Sequence, residues 1–347
     1  MTDDALPSRP DAVPLEIAGP PRRRRGLKWL VLVPALVAAF VLYTVRLPYF
    51  VIGPGPAESV EPLIHVTGTT TYQSNGTFLL TSVTLHQANA YDLLAAWIDP
   101  ASSVVSEHDI LAPGETQEQE VQVARSQMDT SKIDAAVVAL TAYASYPRAH
   151  RPGALVETVF PNTPADGRLF AGDVIVSVDG ITVTGPQDLG TLIVAAGAGH
   201  VLDLVVNGRP GGAVHVKVTP RFDSRAKRPI IGVTSVPNFP FPLSISSGDI
   251  GGPSAGLMWT LGLIDLLTPG DLTGGRKIAG TGEIGPDGKV YPIGGVEEKV
   301  VAAERSGAVV FFVPKDNAAA ARSVAHRMAI VSIGTFADAV RYLQQHA

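Results

Sequence analysis

The sequence of 347 residues predicts an α+β protein in which a compact β-rich block is inserted between helix-bearing segments, behind an N-terminal apolar helix. Three observations carry that prediction. Strand-like and helix-like stretches alternate from Lys277 to the C-terminus; short β-branched runs punctuated by turn residues crowd between Ala154 and Val218; and an apolar run from Trp29 to Val45 follows Arg22-Arg23-Arg24-Arg25. Hydrophobic residues are 46% of the chain and charged residues 17%, a balance that an apolar anchor explains. The net charge of −5, with no basic stripe beyond the N-terminal cluster, points away from a nucleic-acid partner. Without cysteine, the chain has no disulfide, thiol nucleophile or Cys-ligated metal.

Residues 1–28 read as a cytoplasmic tail, poor in hydrophobic side chains. Residues 29–47 read as a single transmembrane helix. The arginine cluster and Lys28 belong on the cytoplasmic side, so the rest of the chain is expected outside the cell membrane. A cleaved signal peptide is the competing reading, but no small-x-small site precedes Arg46. Phe50–Pro56, with Gly53-Pro54-Gly55-Pro56, reads as a stiff linker. Strands are expected at Leu63–Val66 and Thr77–Leu85 around the turn Gln73-Ser74-Asn75-Gly76, and a helix at Tyr91–Trp97. After the polar stretch Glu115–Gln127, Ser131–Ala144 places Ile133, Ala136, Val137 and Leu140 on one helical face. His108 beside Glu107 lacks a second histidine at metal-ligand spacing and reads as surface, so no metal is expected.

Residues 151–222 form the β-rich block. Its expected strands are Ala154–Val159, Val174–Val178, Val201–Val206 and Ala213–Val218, with one helix at Pro186–Ala196. Gly153-Ala154-Leu155-Val156, Pro161-Asn162-Thr163-Pro164-Ala165 and Leu169-Phe170-Ala171-Gly172-Asp173-Val174-Ile175 resemble a PDZ domain of bacterial envelope proteases. The resemblance implies a groove that takes a peptide as an added strand, with Gly153, Ala154 and Leu155 on the loop and Leu189, Leu192 and Ile193 on the helical wall. A packing module that binds no peptide is the other reading. Arg221–Pro229 reads as a charged linker before a strand at Ile230–Val236.

The stretch most suggestive of chemistry is Gly251-Gly252-Pro253-Ser254-Ala255-Gly256, which runs into the apolar helix Leu257–Leu267. A serine at a helix mouth among glycines lets a substrate backbone approach, and N–H groups around Gly252–Ala255 suit a developing oxyanion. A serine-capped turn is the plainer alternative. Gly252-x-Ser254-x-Gly256 also fits a nucleophile elbow, but the strand before it is missing and the only downstream histidines are His326 and His346. Lysine is the other candidate base. On the predicted helix Val296–Arg305, Glu297, Glu298, Glu304 and Arg305 share an arc and Lys299 lies opposite, beside Val296 and Val300. Burial there disfavours the ammonium form, unless the side chain snorkels to water.

Gly252-Pro253-Ser254-Ala255-Gly256, Leu272-Thr273-Gly274, Thr281-Gly282-Glu283-Ile284 and Gly294-Gly295-Val296-Glu297-Glu298-Lys299 resemble the proteolytic domain of the Lon protease family. The resemblance implies Ser254 as nucleophile, Lys299 as general base, Thr281 as the residue orienting that lysine, and Gly252, Pro253 and Ala255 as oxyanion and substrate backbone. Where the family usually has Lys-Asp before Gly-Pro-Ser, this chain has Ile250-Gly251, and no phosphate-binding loop is present, so ATP is not an expected cofactor. Together with the PDZ-like block, the pattern resembles membrane-anchored PDZ-containing Lon-like proteases. Residues 48–150 and 229–347 would then build one protease domain around the insertion. The expected function is an ATP-independent serine endopeptidase acting on extracytoplasmic proteins or peptides, without cofactor, with a non-catalytic PDZ adaptor as the alternative. Lon-type rings leave a homo-oligomer open.

Overall fold

Thr77–Gln87 and Lys277–Gly280, distant in sequence, pair in parallel at the centre of a six-stranded mixed sheet. The computed structural model describes residues 26–346; the arginine cluster lies outside them. Across the sheet the order is Ala329–Ile333, Val310–Pro314, Lys277–Gly280, Thr77–Gln87, Tyr49–Ser59 and Ser103–Ser106. The first four strands are mutually parallel and the last two pair antiparallel.

Both faces of this sheet are buried, and the period of two divides its side chains between two cores. Phe78, Leu80, Ile278 and Phe312 join the core around helix Gly256–Leu267. Leu79, Ala279, Phe311 and Val313 face the opposite way, onto helices Val296–Arg305 and Ala318–Val324. Helix Gly256–Leu267 is apolar around most of its circumference because it is enclosed: Leu257, Met258, Trp259, Leu261, Leu263 and Ile264 have no exposed surface. Helices Gln117–Tyr143 and Phe336–His346 complete that layer, contributing Ile133, Leu140, Val340 and Leu343 to its core.

A second, antiparallel sheet runs Val233–Asn238, Arg151–Val159, Val174–Val178, Leu202–Asn207, Val214–Val218, with Ile181–Thr182 beside the third strand. Helix Pro186–Ala196 packs on it through Leu189 and Ile193. The sheet thus recruits a strand from well beyond residue 222.

Several sequence expectations need correction. Gly53–Pro56 is no linker but part of strand Tyr49–Ser59, where a register shift between Pro54 and Ala57 accommodates prolines that cannot donate to the ladder. Gln73–Gly76 does not close a hairpin: Ile64–Val66 pairs with Leu243–Ile245, and Thr77–Gln87 pairs elsewhere. The polar stretch after Glu115 is helical and continuous with the predicted helix, over Gln117–Tyr143, because Thr116 and Gln119 form a reciprocal capping box. Arg221–Pro229 folds as the short ladder of Arg221–Asp223 on Arg228–Ile230. At the N-terminus, helix Gly26–Thr44 precedes the first strand. Among the described residues no helix is long and apolar enough to cross a membrane, so the span expected at 29–47 is not met there.

Candidate active site

Three layers converge where the central parallel strand ends. Ser254 lies in the 3-10 turn Pro253–Ala255 that opens helix Gly256–Leu267 on one face of the sheet. Thr281 follows strand Lys277–Gly280 directly. Lys299 comes from helix Val296–Arg305 on the other face. The turn depends on glycine at two points. Gly252 has φ 84°, a left-handed conformation, and a Cβ on Gly256 would stand 2.7 Å from Ile284 Cγ2 and 2.8 Å from Ser131 Oγ.

Lys299 Nζ lies 2.6 Å from Ser254 Oγ and 3.2 Å from Thr281 Oγ1. The Thr281 hydroxyl donates in turn to the Ser254 carbonyl at 3.1 Å, and the Gly282 N–H donates to the same oxygen at 2.8 Å. Thr281 therefore ties the lysine to the backbone of the serine it faces. Lys299 is only 3% exposed, so its amine does not reach water as a snorkelling lysine would. Burial pulls that amine down from its ordinary value of 10.5 to about 8, against the opposing influence of Glu298. Near neutrality a useful fraction of the amine is thus free to accept a proton, and the serine is the group within reach.

Glu298 is not on an exposed arc. It is 4% exposed, and Ser103 Oγ donates to its Oε1 at 2.5 Å. The helical wheel places it with the solvent-facing glutamates, but the edge strand Ser103–Ser106 covers that side. The oxyanion assignment also narrows. The Gly252 N–H donates to the Ala124 carbonyl at 2.7 Å, and Pro253 has no N–H, which leaves the amides of Ser254 and Ala255 in that turn.

Other neighbours of the serine have no local signal in the sequence, because they arrive from the long helix and from the inserted sheet. Ser131 Oγ donates to the Pro253 carbonyl at 2.9 Å. One turn further on, Asp134 shares a cleft of about 290 Å³ with Pro253 and Glu283. Burial first, then the nearby Glu157 and Glu283 carboxylates, push the Asp134 carboxyl up to about 7.

The residues expected to form a peptide groove stand apart from this site. Ala154, Leu155, Leu189 and Ile193 are buried and Leu192 is partly buried. Gly153, at φ 115°, donates its N–H to the Thr184 carbonyl. Strand Arg151–Val159 is paired on both edges, with Val174–Val178 and with Val233–Asn238, so the open edge required for strand addition is absent.

Residues 245–341 match the family model of the Lon protease (S16) C-terminal proteolytic domain. This segment is of the Lon proteolytic type. Over 67 residues it is 51% identical to the Lon protease of Roseiflexus castenholzii, a match covering 19% of this chain and 8% of that protein. Over 105 residues it is 34% identical to the Lon protease of Clostridium beijerinckii, covering 28% and 13%. The chain therefore spans only a small part of the length of these curated relatives. The PDZ domain of the SdrC-like protein from Listeria innocua aligns with 24% of this chain and 92% of its own, at 23% identity and a TM-score of 0.22. Ser254, Thr281 and Lys299 all fall inside the Lon-type segment; Ser131 and Asp134 do not.

The unfolded chain holds the Lys299 proton up to its ordinary 10.5 and the folded chain only to about 8, so stability rises with pH between those values and carries the full penalty below about 8. Lys299→Met removes a charge that burial disfavours. At pH 7 the variant is expected to be more stable than the parent by roughly 1–3 kcal/mol in urea denaturation, with the gap closing towards pH 10. An equal gap at both pH values contradicts the depressed amine.

Proposed function

We propose that the chain is an ATP-independent serine endopeptidase in which Ser254 is the nucleophile and Lys299 the general base. The observation that carries this reading is the 2.6 Å approach of a buried amine, its pKa lowered by burial to about 8, to the hydroxyl of a serine at a helix mouth. The Lon-type match of the same segment supports it.

In this mechanism the neutral Lys299 amine takes the Ser254 proton as Oγ attacks the scissile carbonyl. The amides of Ser254 and Ala255 receive the oxyanion, aided by the positive end of helix Gly256–Leu267. The C–N bond breaks as the Lys299 ammonium passes its proton to the leaving amine. Water then gives a proton to Lys299 and attacks the acyl ester, and the proton returns to Ser254 Oγ as the acid leaves. Thr281 holds the amine in register through both proton transfers. The position of the dyad at the meeting of three packed layers gives the geometry little freedom to drift, which favours proton transfer over a short fixed distance.

We further propose that the enzyme works at the outer face of a membrane, held by the N-terminal segment. Support comes from the apolar side chains that helix Gly26–Thr44 leaves exposed, among them Leu36, Val37 and Phe40, and from the arginine cluster that precedes it in sequence. The inserted module is proposed to recruit or regulate protein substrates.

On an unstructured polypeptide, the parent is expected to cleave while Ser254→Ala and Lys299→Met fall by at least about a thousandfold in kcat/KM. Equal cleavage by all three would rule out the dyad, and no cleavage by any would favour a non-catalytic adaptor. In vesicle flotation, the full chain is expected to rise with the lipid and a chain lacking residues 1–45 to stay at the bottom while still cleaving. Flotation of both would place membrane attachment elsewhere.

A further inference from the structure

The partner of strand Arg151–Val159 on its outer edge is a segment of the same chain. Val233–Asn238 runs antiparallel along it, from Val233 opposite Val159 to Asn238 opposite Arg151. The segment is anchored at its start. Ile231 is 2% exposed within the same core as Leu189, Ile193 and Val156, and the Ile231 carbonyl accepts from the Ala165 N–H at 2.8 Å. Gly232, at φ +89°, fits against Thr163 so closely that a Cβ would stand 2.1 Å from its Cβ.

Beyond this anchor the hold is weaker. Within six residues the ladder breaks register twice, between Thr234 and Ser235 and between Pro237 and Asn238, and Pro237 has no N–H to give. The Thr234 hydroxyl is buried without a hydrogen-bond partner, a cost that displacement of the strand relieves. Five of the six residues keep partial exposure. The far end is then clasped again: Tyr146 Oη donates to the Pro237 carbonyl at 2.8 Å, Arg151 Nε donates to the Phe239 carbonyl at 2.9 Å, and Asn238 Nδ2 donates to the Pro152 carbonyl at 3.0 Å.

The arm also bridges two cores. Val233 packs against the core of the inserted module, and Val236 packs with Leu155 against the core that surrounds helix Gly256–Leu267. From Asn238 the chain continues through strand Leu243–Ile245 to the serine turn. Removing the arm from its edge therefore loosens a link between the module and the layer that carries Ser254.

We propose that Val233–Asn238 is a built-in occupant of a peptide-binding edge, and that an extended partner peptide with the same pattern, two β-branched apolar residues separated by two small polar ones, binds the module by displacing it. Backbone ladder bonds along Arg151–Val159 supply the affinity, and the space vacated by Val233 selects a β-branched side chain. The competition lowers apparent affinity by the fraction of molecules in which the arm is seated, so the edge responds to high local concentrations of peptide. Binding at this edge does not require that the endopeptidase reading be correct.

The absence of cysteine from the natural sequence permits a clean lock. Thr158 and Thr234 oppose one another across the ladder, so a full-length Thr158→Cys, Thr234→Cys chain can be studied oxidised and reduced. The probe is a fluorescent peptide with the sequence of residues 230–238, followed by anisotropy. Reduced protein is expected to bind it at least about tenfold more tightly than oxidised protein. In the unaltered chain, saturating probe is expected to speed amide exchange across Val233–Asn238 while Val174–Val178 stays protected. Equal binding by both redox forms, no binding by the reduced form, or unchanged exchange in the arm would each overturn the proposal.

Discussion

The removal of one lysine amine from water is the constraint on which the site depends. In the proposed mechanism Lys299 serves as a base only while burial keeps its charged form unfavourable, and burial requires apolar layers on both sides of the sheet that ends at Thr281. Those layers account for much of the fold. The six-stranded sheet has a core on each face, and Ser254, Thr281 and Lys299 come one from each of the three layers. Catalytic geometry and packing are therefore hard to separate here.

The clustering of Ser254, Thr281 and Lys299 was more legible in the sequence than the architecture, for a physical reason. Ser254, Thr281 and Lys299 are carried by short motifs whose residue types are constrained locally: glycines where φ is positive or backbones touch, a lysine on an apolar helix face. Burial of Glu298 was illegible because the strand that covers it, Ser103–Ser106, lies far away in sequence. Strand pairing behaves the same way. Ile64–Val66 and Leu243–Ile245 carry no mark of each other, and a hairpin turn between nearer strands is the natural but incorrect inference. Gly53–Pro56 shows the limit of reading proline as linker, since a bulge admits it to a strand.

The inserted module gives a sharper case. Leu189 and Ile193 belong to its own core and Leu155 to the core around helix Gly256–Leu267, yet the edge beside them is filled, and the occupant follows the boundary that composition suggests for the module. The module and the catalytic layers also meet through carboxylates. Glu157, on strand Arg151–Val159, and Glu283, two residues after Thr281, act on Asp134 of the long helix, which links the ionisation of that junction to both parts. These neighbours place the inserted sheet against the helix whose Ser131 supports the serine turn.

The central claim is that a buried neutral amine activates Ser254. Its most direct test is the rate at which an activated ester acylates Ser254, followed by mass spectrometry of the intact protein across pH 6 to 10. The account predicts an adduct on Ser254 whose formation rate climbs about tenfold per unit at low pH and levels off above about 8, with the rise lost in Lys299→Met. A rate that ignores Lys299, or an adduct on another residue, would contradict it.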